Sequence, residues 1–136
     1  MMQFVIAAPR SGSGKTTVTC ALLAALKNRG YAPCAFKSGP DYIDPMFHRS
    51  VLGVESHNLD LYLSAKNTVR ELYAHYAAGH GAVVCEGLCI SFSAHLCIRS
   101  FRFSSFLMAS SMLSGSKGLI VILSCMDIPL NLPYRP

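Results

Sequence analysis

Tryptophan is absent, charged side chains are sparse, and no apolar run approaches membrane length. Charged residues make up 14% of the chain and apolar residues 51%. That balance excludes global disorder and supports a packed core. The longest uninterrupted apolar runs are Ala21 to Leu26 and Leu119 to Leu123, far short of the ~20 residues a membrane helix needs. Six cysteines are present, yet none forms a CxxC pair and no Cys/His group has zinc-finger spacing. Buried, reduced thiols in a cytoplasmic protein are therefore expected. No Lys/Arg cluster or interleaved aromatic stripe is present, which argues against nucleic acid as a partner. Met1 to Pro9 lacks a charged leader region and reads as a first strand, not a signal peptide.

What is present points to one small α/β domain. The 136 residues suffice for one core and not for two comfortable ones. The formal charge of +5 is unevenly spread. Met1 to Gly87 holds eight Lys/Arg and six Asp/Glu, a net +2, and the remainder holds four and one, a net +3. An excess of this size suits a polyanionic small molecule.

Phe4 to Ala8 is a short apolar run that reads as a buried parallel strand. Thr16 to Arg29 places Val18, Leu22, Leu23 and Leu26 at helical spacing, and Gly30 ends that helix. Ala32 to Lys37 reads as a second strand and Ser38 to Pro45 as a loop. Met46 to Leu52 is a short helix candidate beginning after Pro45, and Thr68 to Ala78 is a clearer one, closed by Gly79. Ala82 to Cys85 is a third strand that runs into Glu86. Strand, helix, strand, helix, strand is the grammar of a doubly wound sheet, in which ligands bind at the carboxyl ends of the strands. Beyond Leu88 the chain is rich in Ser, Phe, Cys and Met without sustained periodicity. Leu119 to Leu123 is one more strand candidate there.

Three polar clusters each follow a strand. The first, Pro9-Arg-Ser-Gly-Ser-Gly-Lys-Thr-Thr17, has the strand–loop–helix context of a phosphate loop. Gly12 and Gly14 allow backbone N–H groups to turn toward phosphate oxygens, and the helix N-terminus adds partial positive charge. Lys15 is placed to reach the β- and γ-phosphates, and the Thr16 hydroxyl to ligate Mg²⁺. Pro9 stands where the strict pattern has Gly. Arg10 either reaches across a dimer, contacts phosphate within its own subunit, or is exposed. The second cluster, Lys37 to Asp44, packs a lysine, two carboxylates and Tyr42 between turn residues. Asp41 and Asp44 either hold Mg²⁺, position a substrate group, or cap turns; Lys37 neutralises a substrate carboxylate or is exposed. The third is Glu86, a strand-end carboxylate able to complete a Mg²⁺ shell. His48 and His57 read as core or loop histidines.

Four segments, IAAPRSGSGKTTVT, FKSGPDYIDPMFHR, NLDLYL and VVCEG, resemble the amino-terminal part of the cobyrinic acid a,c-diamide synthase family, in its order and approximate spacing. GPDYIDP is the most specific of them; the phosphate loop is shared with relatives such as dethiobiotin synthetase. The resemblance implies a P-loop NTPase-like parallel sheet with flanking helices, dethiobiotin synthetase-like and incomplete. It also implies an ATP- and Mg²⁺-dependent, glutamine-using amidoligase of cobalamin biosynthesis acting on a corrinoid. By matched position, Gly12, Ser13, Gly14, Lys15, Thr16 and Thr17 bind ATP, while Asp41, Asp44 and Glu86 are catalytic. Thr16, Asp41 and Glu86 serve the metal, and Lys37 and Tyr42 face the substrate. A homodimer is expected for a full-length parent. The competing readings are an amidoligase acting on nickel sirohydrochlorin and a non-catalytic ATP switch of the ParA/MinD kind.

The family pattern continues past its Glu-Gly with a Met-Gly and then an Asp-Gly. Here Cys89, Ile90, Ser93 and Ala94 stand in those places. From Leu88 onward the motifs no longer match, and no cysteine fits the nucleophile of the family's glutamine amidotransferase domain. The expectation is an ATP-binding part over residues 1–87 and an unassigned, aberrant or poorly ordered tail over 88–136. A truncated or frame-shifted gene product, inactive alone, is the simplest source of such a chain.

Overall fold

Met2–Ala7 forms strand β1, Pro33–Ser38 β2, Glu55–Leu59 β3 and Ala82–Glu86 β4. Helices α1 (Lys15–Asn28), α2 (Ile43–Ser50) and α3 (Lys66–Ala77) connect them. The computed structural model describes residues 1–8, 11–87, 109–110 and 121–126. The last two segments are strands β5 (Ala109–Ser110) and β6 (Val121–Met126). The sheet order is β3-β2-β4-β1-β6-β5. The first four strands are parallel, whereas β6 runs antiparallel to β1 and β5 antiparallel to β6. The fold is the expected α/β sheet with flanking helices, carrying an antiparallel extension on the β1 side.

Side-chain alternation divides the core between the two faces of the sheet. Cys34, Phe36, Val5, Val83 and Cys85 face α3, with Val69 and Ala77 of that helix in the same cluster. Ala35, Ile6, Ala82 and Val84 face the other way, onto Leu23 and Leu26 of α1. The chain steps from β1 to β2 to β3 in one direction and then returns to insert β4 between β2 and β1. The helix after β3 accordingly lies on the opposite face from α1, as crossovers of one handedness require. Phe36 joins β2 to α3 through Tyr73, with ring centroids 4.9 Å apart.

Three elements differ from the sequence expectation. Strand β3 lies in a stretch with no strand expected, because Glu-Ser-His-Asn-Leu has neither β-branched residues nor an apolar run. Pairing of Cys34 through Ser38 with Glu55 through Leu59 makes it a strand. Helix α2 begins at Ile43, not after Pro45, since a proline in the first helical turn forfeits no intrahelical bond. The Asp41 carboxylate also accepts from the Ile43 and Asp44 amides at 3.0 and 3.4 Å, which starts the helix early. The strand expected over Leu119 to Leu123 is seen as Val121–Met126, running on to Met126, while its first two positions lie outside the described residues. Gly30 and Gly79 follow α1 and α3 with φ of 80° and 84°, as helix-ending glycines do.

Candidate functional site

The parallel strands deliver their polar ends to one edge. In β2, Lys37 shares the face of Ala35; in β4, Glu86 shares the face of Val84 and Ala82. Both therefore point toward the side of the sheet that α1 covers. They are direct register partners, and the Lys37 Nζ donates to Glu86 Oε1 at 2.7 Å. Asp44, in the first turn of α2, accepts from the same ammonium at 2.5 Å through Oδ2. Asp41 Oδ2 stands farther off, 3.5 Å from Lys37.

Thr16 closes the group from above. Its hydroxyl lies 3.0 Å from Glu86 Oε1 and 3.2 Å from Asp44 Oδ2. Lys37 and Thr16 thus bear on the same two carboxylate oxygens. Glu86 is 1% exposed and Lys37 6% exposed, so the cluster is sheltered from water. Burial opposes the Lys37 charge, but its bonds and attraction to Asp44 and Glu86 prevail and raise its pKa above the usual lysine value. For Asp41, burial acts upward and is outweighed by the Asp44 and Ile43 amides and by Lys37, so its carboxyl titrates lower than normal. Cys20, half-buried on α1, has its thiol pushed up by burial and by the charges of Glu86 and Asp44.

The phosphate loop leads into this cluster. Gly12 and Gly14 adopt φ of 73° and 84°, a left-handed conformation that L side chains resist. Gly14 sits at the N-cap of α1 without any side-chain cap, leaving the first-turn amides to serve as an anion-binding end. Lys15 is buried at the first helical position, Ser13 is half-buried and Thr17 exposed. The Thr19 hydroxyl donates to Lys15 O at 2.9 Å and steadies that first turn. Arg10 and Pro9 lie outside the described residues, as do Cys89, Ile90, Ser93 and Ala94.

Of the residues singled out in sequence, Thr16, Lys37, Asp41, Asp44 and Glu86 come together. Asp44 stands against Thr16, while Asp41 is set one step outward with one oxygen engaged by backbone. Tyr42 is 80% exposed and takes no part in the cluster. His48 is a core residue: it is buried, with Nδ1 3.0 Å from the buried Ser56 hydroxyl. Burial moves its pKa down, against the pull of Asp44 and Glu86. His57 stacks on Tyr76 at 3.6 Å and contacts Glu55, away from the cluster.

Among the described residues, no group of three or more His, Cys, Asp or Glu is placed to hold a metal ion by itself. The donors nevertheless fit Mg²⁺, which takes one or two carboxylates and completes its shell with phosphate and water oxygens. The sequence expectation put Asp41 with Thr16 and Glu86 at the metal, but Asp41 is tied to backbone amides and Asp44 is the one that meets Thr16. Thr16, Asp44 and Glu86 are hard oxygen donors, and Glu86 Oε2 is buried with no hydrogen-bond partner among the described residues.

A family model described as CbiA, the CobQ/CobB/MinD/ParA nucleotide binding domain, matches residues 4–122. The chain belongs to this family. The match reaches well past Gly87, so the likeness does not stop where the quoted motifs stop. The chain is 53% identical over 87 residues to a cobyrinate a,c-diamide synthase of Gloeobacter violaceus, covering 64% of this chain and 19% of that protein. It is 50% identical over 86 residues to a hydrogenobyrinate a,c-diamide synthase of Streptomyces coelicolor, 63% of this chain and 18% of the other. With its namesake from Brucella ovis it shares 47% over 89 residues, 65% and 20% of the two chains. The chain thus matches about a fifth of the length of these relatives. No solved structure matches. No helix among the described residues is long and apolar enough to cross a membrane.

Proposed function

We propose that this chain binds MgATP and presents its γ-phosphoryl group to a corrinoid carboxylate, as the ATP-binding front of a glutamine-using a,c-diamide synthase of cobalamin biosynthesis. The observation that carries this reading is the meeting of Thr16 with Glu86 and Asp44, directly beside Lys15. It joins the phosphate loop to the carboxylates at the end of β4 and the start of α2 that the reaction needs.

In this reading the amides from Gly12 to Thr17 cradle the triphosphate and Lys15 reaches its β- and γ-oxygens. Thr16, Asp44 and Glu86 hold Mg²⁺, which supplies neutralising charge on the phosphates when bound. Asp41 orients Lys37 and anchors the start of α2. The chemistry is activation of a poor electrophile. A substrate carboxylate oxygen bonds to the γ-phosphorus as the bond to ADP breaks. Ammonia, released from glutamine, then adds to the acyl carbon, loses a proton and expels phosphate, leaving an amide. Lys37 neutralises the negative oxygens gathered around that phosphoryl group, which is where catalysis of this kind gains most.

The edge of the sheet also suits a large apolar-faced macrocycle. Tyr42 and Ile43 at the end of the β2–α2 loop are exposed, as are Leu61, Tyr62 and Leu63 after β3. The two segments are neighbours, since Gly39 donates to Leu59 O at 3.0 Å. The relatives named for cobyrinate and hydrogenobyrinate favour a corrinoid over nickel sirohydrochlorin.

Isothermal titration with MgATP, comparing wild type with Lys15→Ala, tests the nucleotide site. A loss of about a hundredfold in affinity, ~2.7 kcal/mol, is expected; equal heats would defeat the assignment. Equilibrium dialysis against cobyrinic acid, followed by its visible absorbance, tests the substrate.

A further inference from the structure

Lys37 and Thr16 compete for the same acceptors. Asp44 Oδ2 and Glu86 Oε1 each face both the ammonium, at 2.5 and 2.7 Å, and the Thr16 hydroxyl, at 3.2 and 3.0 Å. A divalent ion ligated by Thr16 and by these carboxylates would lie within a few ångströms of the ammonium, at the centre of the same oxygens. Two cations cannot both be satisfied there, because each forfeits part of the negative charge that the other uses.

A second station for the ammonium is already built. Asp41 Oδ2 lies 3.5 Å from Lys37 Nζ, outward of the other two carboxylates. The backbone amides of Ile43 and Asp44 hold Asp41 through its other oxygen, Oδ1. This leaves Oδ2 fixed and turned to Lys37. A lysine has a flexible four-carbon stem and three rotatable donors, so its head can change partners with little backbone movement. Glu86 Oε2, buried and without a hydrogen-bond partner among the described residues, adds a further oxygen to the inner position.

We propose that Lys37 is a displaceable resident cation: a divalent ion arriving with ATP takes over Asp44 and Glu86, and the ammonium moves outward to Asp41 and the phosphoryl oxygens. Metal loading and placement of the Lys37 charge on the transferred group are then one event. Lys37 acts in this as a positioning residue whose charge is withheld until the metal is seated. This inference rests on the MgATP reading above and specifies the regulation of that site.

Mn²⁺ binding without nucleotide, followed by electron paramagnetic resonance, tests it. A neighbouring cation changes a carboxylate's affinity for a proton by about one to three decades. Lys37→Met should therefore bind Mn²⁺ at least about tenfold tighter than wild type, with Lys37→Arg close to wild type. Equal Mn²⁺ affinity in wild type and a folded Lys37→Met would overturn the proposal. A measurement on wild type removes dependence on that variant's folding. The Lys37 side-chain ammonium resonance should shift with MgATP and stay in place with ATP in excess chelator. An unmoved resonance under conditions where calorimetry shows MgATP bound sinks the displacement while the nucleotide site stands. Absence of MgATP binding by wild type removes both.

Discussion

Lys37 and Glu86 are paired across adjacent parallel strands, and their side chains meet at 2.7 Å under almost complete burial. An isolated lysine at a strand tip would be a solvated charge. Set opposite a buried glutamate and beside Asp44, it becomes the centre of a site whose members come from β2, β4, α1 and α2.

Breaking this pair should be expensive. Glu86→Ala leaves a buried ammonium with Asp44 as its remaining close partner. A loss of about 3 kcal/mol is expected, the lower end for removal of one member of a buried pair. Urea unfolding measures it, and a loss below ~1 kcal/mol would mean that water screens the pair in solution.

Gly14 and Gly30 make a matched test of the phosphate loop. Both have positive φ, 84° and 80°, and a Cβ at either would meet nothing within 4 Å. Alanine at each should therefore cost only the left-handed backbone penalty, ~1–2 kcal/mol. Gly30 lies at the far end of α1, so Gly30→Ala should keep nucleotide affinity. Gly14→Ala should lose it, because in the proposed MgATP site Gly14 belongs to the loop whose amides receive phosphate. Thermal melts paired with nucleotide titrations separate the two effects.

His48 should make the fold sensitive to mild acid. Its pKa is lowered on folding by burial, from an ordinary 6.5. The unfolded chain then binds more protons than the native one as pH falls below 6.5, so stability declines until the native pKa is passed. His48→Asn should flatten that part of the stability–pH curve. Unfolding midpoints at pH 7 and pH 5 give the comparison; an unchanged slope would assign the acid sensitivity to other groups.

Cys34 should be inert in the folded protein. It is fully buried, and burial followed by the nearby Glu55 charge pushes its thiol up to about 12. Peptide-mapped alkylation at pH 8 should leave Cys34 unlabelled until denaturant is added, because the thiolate is the reactive form. Rapid native labelling there would show that β2 opens readily.

Much of this was legible from local pattern. The run before Pro9, the helical spacing of Leu22, Leu23 and Leu26, and the apolar stretch into Glu86 each carry their own signal, so β1, α1 and β4 are legible to within two residues at their ends. Strand β3 is not, since its polar residues are held by pairing with β2 and not by their own preference. The start of α2 is not legible locally, because Pro45 reads as a helix boundary. Pro45 is tolerated because it lies in the first turn of α2, where its missing N–H has no intrahelical partner to lose.

The order of chemical groups along the chain is a property of the sequence alone: glycines where φ must be positive, Lys15-Thr16 opening a helix, carboxylates just after strands. Strand alternation further dictates that Lys37 and Glu86 sit one residue past Phe36 and Cys85, on the face opposite theirs. Which carboxylate meets Thr16 is another matter. Asp41 and Asp44 are three residues apart in the same acidic motif, and nothing in their local surroundings ranks them. Only the early turn of α2, which ties Asp41 to backbone amides and swings Asp44 inward, separates a capping residue from one in contact with the phosphate-loop threonine. That choice depends on distances across the fold, set by strand register and helix placement, and no local preference encodes them.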